Sequence, residues 1–145
     1  LSSTKTALGS VMVVAIWKQA GYYMIIILAG LQSIPSQLYE AASIDGANSV
    51  EKFFKITLPM LSPTMFMVTI LSIINSFQVF DLSYTMTNGG PGRSTVTLVM
   101  GIYNAAFKEY RMGYACAMAI LLLIIILIIN VVENVFFKEK EETAR

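Results

Sequence analysis

The side chains with chemistry to offer are few, and most lie in apolar company. Asn75, Gln78, Asp81 and Thr85 punctuate an otherwise hydrophobic stretch. At 100° per residue on a helix they fall within about 120° of one another. Such a set forms hydrogen bonds: amide and carboxylate groups match hydroxyls that both give and accept. A central Asp facing lipid costs on the order of 2.5–3.5 kcal/mol, so the stripe should face a bundle interior or a wet cavity. Phe77, Phe80 and Tyr84 would add aromatic faces. The plainer alternatives are that Asn75 and Gln78 only bond across helices, and that Asp81 sits near enough to a surface to be hydrated. Catalysis has little to work with. There is no His, and the one Cys, Cys116, lies in an apolar run without a companion for a disulfide or a metal site. No Gly-x-x-x-x-Gly-Lys phosphate loop occurs, so nucleotide hydrolysis is not expected on this chain.

Composition decides what must position these residues. Of 145 residues 56% are hydrophobic and 13% charged, which suits a membrane protein better than a packed soluble globule. The net charge of +1 comes without a basic cluster, so nucleic acid is not an expected partner. A span needs roughly 20 mostly apolar residues. Three segments reach that length: about 11–31, 61–84 and 113–137. The expectation is an all-α polytopic helix bundle with an amphipathic segment, 32–60, between the first two spans. A loop, 85–112, precedes the third span, and a charged tail, 138–145, is read as a solvated end. Lys18 either snorkels to a surface beside Trp17 or faces the interior. Gly113 with Ala117, and Ala115 with Ala119, would let helices approach closely. Asn130, Glu133 and Asn134 share one face and should bond to neighbouring helices. Lys18 in the first span aside, Lys and Arg divide five to four between the two sides, which leaves orientation open. The chain opens on Leu1, and Leu1 to Thr6 lacks a basic region and cleavage site, so no signal peptide is expected and the sequence reads as a piece of something longer.

The segment 32–60 has its own logic. Ser33 or Ser36 could cap a helix near Pro35 that carries Leu38, Ala41, Ala42 and Ile44. Gly46 permits a turn with positive φ. Asn48 followed by Glu51 is a capping-box pattern for a second helix, with Val50, Phe53, Phe54 and Thr57 on one face, and Leu58-Pro59 should stop it. Two short helices at an angle result. They could rest on a membrane surface, although the balance of Glu40, Asp45, Glu51, Lys52 and Lys55 suits a protein partner better than a lipid surface. In the loop, Asn88, Gly89, Gly90, Pro91 and Gly92 spell a turn. Val96 to Phe107 reads as a helix with Val99, Tyr103 and Phe107 in register.

The pattern Glu40-Ala41-Ala42, three residues, Gly46, nine residues, Ile56-x-Leu58-Pro59 resembles the EAA loop of the membrane subunits of binding-protein-dependent ABC importers. The runs "LAGLQSIPSQLYEAASIDGA", "NSFQVFD" and "TNGGPGRST" are similar to carbohydrate importers of the maltose and glycerol-phosphate type. The resemblance covers residues 14 to 137. It implies a permease subunit, corresponding to its C-terminal half, that moves a sugar and is not itself an enzyme. ATP and Mg would then be held by a partner ATP-binding cassette dimer, with a second permease subunit and a secreted solute-binding protein completing the assembly in the cell membrane. It places segment 32–60 in the cytoplasm and assigns ATPase coupling to Glu40, Ala41, Ala42, Asp45, Gly46, Ile56, Leu58 and Pro59. Asn75, Gln78, Asp81 and Tyr84 become candidates for the substrate path, and the loop 85–112 would meet the solute-binding protein. The rival expectations are a permease for a non-sugar solute, a secondary transporter fragment, or a membrane anchor without a substrate.

Overall fold

The computed structural model describes residues 3–143, and every regular element among them is helical. Helix α1 runs Ala7–Gln32, α2 Ser36–Ile44, and α3 Ser49–Lys52; α3 passes through a π turn, Phe53–Thr57, into α4, Leu58–Phe77. Then come α5, Asp81–Thr87, and α6, Leu98–Tyr103; a second π turn, Asn104–Lys108, precedes α7, Met112–Thr143. Three stretches are long and apolar enough to cross a membrane: Ala7–Gln32, Ser49–Phe77 and Met112–Val135. Their apolar side chains stay largely on the outside, as in Val13, Ile16, Ile25, Leu127 and Val131. That is the arrangement a hydrocarbon solvent favours. Trp17 is 82% exposed, in keeping with an interfacial anchor.

The helices depart from the sequence expectations at three places. Leu58-Pro59 does not stop the second short helix, which runs on into the span. The reason lies in the turn ahead of it. The Leu58 N–H reaches back five residues to the Phe53 carbonyl, and this wider π turn lets the backbone pass the missing donor of Pro59 in helical conformation. The second span, expected over 61–84, ends at Phe77 instead, and α5 starts afresh at Asp81. Phe80 leaves helical geometry at φ −130°, and the Val79 carbonyl freed by the break accepts a hydrogen bond from the Thr97 hydroxyl. Neither Ser33 nor Ser36 caps α2. Pro35 occupies the cap without a side-chain bond, and the Ser33 hydroxyl donates to the Gly30 carbonyl at 2.7 Å.

Contacts divide the chain into two compact units: Lys18 to Thr69, and the residues up to Trp17 with those from Ile70 onward. In the first unit Gly30 lets α1 meet α4. A Cβ there would stand 2.6 Å from Thr64 Oγ1 and 3.0 Å from a Leu61 methyl, so only a glycine fits without displacing them. In the second unit Ala105, Ala106 and Ala115 form a small buried cluster with Ile102 against it. Of the small residues on α7, Ala115 is thus the one packed within the chain, while Gly113, Ala117 and Ala119 are exposed. Asn134 donates to the Asn130 carbonyl of its own helix at 2.9 Å rather than to a neighbouring helix. Helical backbone continues through Thr143; the side chains of the expected solvated tail, 138–145, lie outside the described residues.

Candidate functional site

The first unit contains an elbow built by the motif residues themselves. Helix α2 ends with Asp45 as its cap, where the Asp45 N–H bonds the Ala41 carbonyl at 3.0 Å. Gly46 follows at φ +78°, and the chain then closes a Schellman stop: Gly46 N–H to Ser43 O at 3.2 Å and Ala47 N–H to Ala42 O at 2.9 Å. Apart from its chain neighbours, no atom of the described residues lies within 4 Å of where a Gly46 Cβ would be. The glycine is therefore required by backbone conformation and not by crowding.

Past the corner, α3 starts with the expected capping box. The Glu51 N–H donates to Asn48 Oδ1 and the Asn48 N–H to Glu51 Oε2, each at 2.9 Å. Two cross-links then fix the angle. Lys52 Nζ donates to Ser43 Oγ at 2.7 Å, and Ser43 Oγ donates in turn to the Tyr39 carbonyl. The hydroxyls of Tyr39 and Thr57 meet at 2.8 Å. Lys55 and Glu51 approach to 3.8 Å on the exposed surface, a pair that adds little stability. Between the arms lies a hollow of about 410 Å³, with Asp45, Gly46, Glu51, Lys52 and Ile56 among its walls. Glu40, Ala41, Asp45, Gly46, Leu58 and Pro59 are exposed, and Ala42 and Ile56 half-buried. The structure thus brings Ala42, Asp45, Gly46 and Ile56 to one hollow. Phe53 and Phe54 pack edge to face at 5.2 Å and are otherwise exposed.

The proposed polar stripe is divided. Asn75 lies on α4 and Gln78 just past its end, with the Gln78 N–H shared between the carbonyls of Ile74 and Asn75. Asp81 and Thr85 belong to α5, as does Tyr84, so the single helical face drawn through Asn75, Gln78, Asp81 and Thr85 does not exist. Tyr84 instead joins an aromatic cluster. Phe80 stacks on it at 5.2 Å, Tyr103 meets Phe80 at 5.1 Å and Tyr84 at 5.6 Å, and Phe107 extends the row from Tyr103 at 5.4 Å. Hydrogen bonding to Tyr84, followed by its charge and by desolvation, holds the Tyr103 phenol above its ordinary value. Tyr103 and Phe107 were absent from the sequence-derived path. The signal was their four-residue spacing, matching that of Phe80 and Tyr84.

The turn after α5 is heavily bonded. Asn88 adopts φ +49° and Gly89 +81°; the Thr87 and Thr95 hydroxyls meet at 2.6 Å, and Thr95 Oγ1 donates to the Gly90 carbonyl at 2.9 Å. Thr97 caps α6 by accepting from the Met100 N–H at 3.3 Å. The helix expected over 96–107 is realised as α6 and the second π turn.

Comparison with known proteins adds an independent line. Residues 1–140 match the family described as binding-protein-dependent transport system inner membrane component. The chain is 40% identical over 131 residues to the sulfoquinovosyl glycerol transport system permease protein of Agrobacterium fabrum, an alignment spanning 90% of this chain and 42% of that relative. It is also 40% identical over 133 residues to the ABC transporter permease protein ORF1 of a Caldicellulosiruptor species, covering 92% of this chain and 95% of the relative. A crystal structure of a bacterial ABC transporter involved in the import of the acidic polysaccharide alginate superposes with a TM-score of 0.74 at 27% identity, over 86% of this chain and 44% of that one. The chain spans less than half the length of the Agrobacterium relative and of the solved chain.

Proposed function

The chain belongs to the family of binding-protein-dependent transport system inner membrane components, and from that premise we propose that it is the membrane-spanning permease part of an ATP-driven sugar importer. As a family member it is a multi-pass protein of the cell membrane. In this reading ATP and Mg are bound and hydrolysed on a separate ATP-binding cassette dimer, a second permease subunit completes the path, and a solute-binding protein delivers the cargo.

One observation carries the reading: the elbow at Gly46 is exposed and braced by hydrogen bonds across its corner. Energy from a cytoplasmic motor has to reach the spans as rigid-body motion. A corner fixed by a Schellman stop, a capping box and two side-chain cross-links transmits displacement without yielding. Its second arm is continuous with the span that ends at Phe77, so a push on the elbow moves that span directly. Glu40, Ala41, Ala42, Asp45 and Gly46 form the contacting knuckle, while Ile56, Leu58 and Pro59 carry the arm into the membrane.

Sugar as the cargo class is supported by the relatives, which are named for sulfoquinovosyl glycerol transport and for import of the acidic polysaccharide alginate. Asn75 and Gln78 at the end of α4, with Asp81 and Tyr84 on α5, supply the path with hydroxyl-matching groups and an aromatic face. The test is the complete importer in proteoliposomes with Gly46→Asp. Uptake should fall about tenfold or more, the scale of an ordinary coupling free energy, while membrane insertion and ATP hydrolysis persist. Wild-type uptake by this variant would refute the coupling role.

A further inference from the structure

A cavity of about 300 Å³ lies between the Asn88–Arg93 turn and the second π turn, with Asn88, Gly89, Arg93, Asn104, Lys108 and Glu109 among its lining residues. Its charges do not cancel. Glu109 faces Arg111 at 3.7 Å, whereas among the described residues neither Arg93 nor Lys108 has a carboxylate partner. Lys108 Nζ is held over the rings of Tyr84 and Tyr103, 5.6 and 5.9 Å from their centroids. That contact orients the ammonium and leaves its N–H groups able to donate elsewhere. Asn104 Oδ1 is buried and has no hydrogen-bond partner among the described residues. A buried acceptor left unmatched is costly, so a ligand that supplies an O–H to it gains affinity.

We infer that this cavity binds a small anion that also carries hydroxyl groups. The carboxylate or phosphate oxygens accept hydrogen bonds from Arg93 and Lys108, and a neighbouring hydroxyl donates to Asn104 Oδ1. The volume is at the lower end for small-molecule sites, which span roughly 300–1,000 Å³, enough for one sugar-acid or glycerol-phosphate unit. The same chemistry has two sources, a soluble sugar acid or sugar phosphate and the glycerophosphate headgroup of a lipid. The inference does not depend on the importer reading, because every observation behind it lies within one unit of this chain.

The full chain in phosphatidylcholine nanodiscs, titrated by calorimetry with glucuronate, sn-glycerol 3-phosphate, acetate and glucose, tests it. Glucuronate and glycerol phosphate should bind, glucose should not, and Arg93→Gln and Lys108→Gln should each weaken binding about tenfold, as expected for losing one charge-assisted contact. Glu109→Gln, which removes the cavity's carboxylate, should strengthen it. Asn104→Ser should bring glucuronate closer to acetate. In discs containing phosphatidylglycerol, a headgroup occupant predicts weaker glucuronate binding and loss of retained phosphatidylglycerol from R93Q and K108Q in native mass spectra; a soluble occupant predicts unchanged glucuronate affinity. The inference is overturned if neither anion binds and lipid retention is the same in all variants, if the two glutamine variants bind as tightly as wild type, or if glucose matches glucuronate.

Discussion

Asn48 and Glu51 show how much a pair of side chains can decide. Each accepts a hydrogen bond from the other's backbone N–H at 2.9 Å, which starts α3 at Ser49, three residues after Gly46. Asn48→Ala removes the acceptor for the Glu51 N–H and should cost about 1 kcal/mol. Hydrogen exchange is the suitable measurement: the amides of α3 should lose protection about fivefold, while those of α7 keep theirs. Uniform loss across both helices would show that the cap matters globally. These two residues were legible in the sequence because a capping box is a local pattern whose partners are three residues apart. Gly46 was legible for the same reason, since a positive φ is a property of one residue and its immediate neighbours. The Lys52–Ser43 and Tyr39–Thr57 links were not, because they join residues nine and eighteen positions apart through geometry that exists only once the corner has formed.

Helix ends are where sequence and structure part. The polar stripe was drawn on the assumption that apolar periodicity past Asn75 meant one continuous helix. No glycine or proline marks the break at 78–80, and what stabilises it is Thr97, a distant hydroxyl that takes up the Val79 carbonyl. Pro59 fails as a stop for the complementary reason, since a π turn is invisible to a 3.6-residue pattern. Packing between α1 and α4 rests on a simpler device, the missing side chain of Gly30. Gly30→Ala places a methyl group 2.6 Å from Thr64 Oγ1 and 2.8 Å from its methyl, and should destabilise the protein by about 1–3 kcal/mol. Adding Thr64→Ala to that variant should recover most of the loss in thermal unfolding. A double variant no better than the single would mean that the contact is not the source of the strain.

At the scale of the molecule, the permease reading predicts one membrane crossing between the elbow and the loop before α7. The helical stretch Ser49–Phe77 is long and apolar enough to cross once, and in that reading Ile44 and Glu109 are expected on opposite faces of the bilayer. In a Cys116→Ser background, Glu109→Cys should react with a membrane-impermeant maleimide in intact cells, and Ile44→Cys, 88% exposed, only after the cells are opened. Labelling of both in intact cells would remove the crossing. The elbow itself has a wider consequence. The bonds that shape it, from the Tyr39–Thr57 hydroxyl contact inward through the Lys52–Ser43 link to the Schellman stop, all close within Tyr39–Thr57. Among the described residues, the hydrogen bonds of the corner draw on no residue outside that stretch. The corner is therefore a portable cassette: grafted between two helices of another membrane protein, it should carry its own bend with it, and the same short insert could serve channels with unrelated cargo.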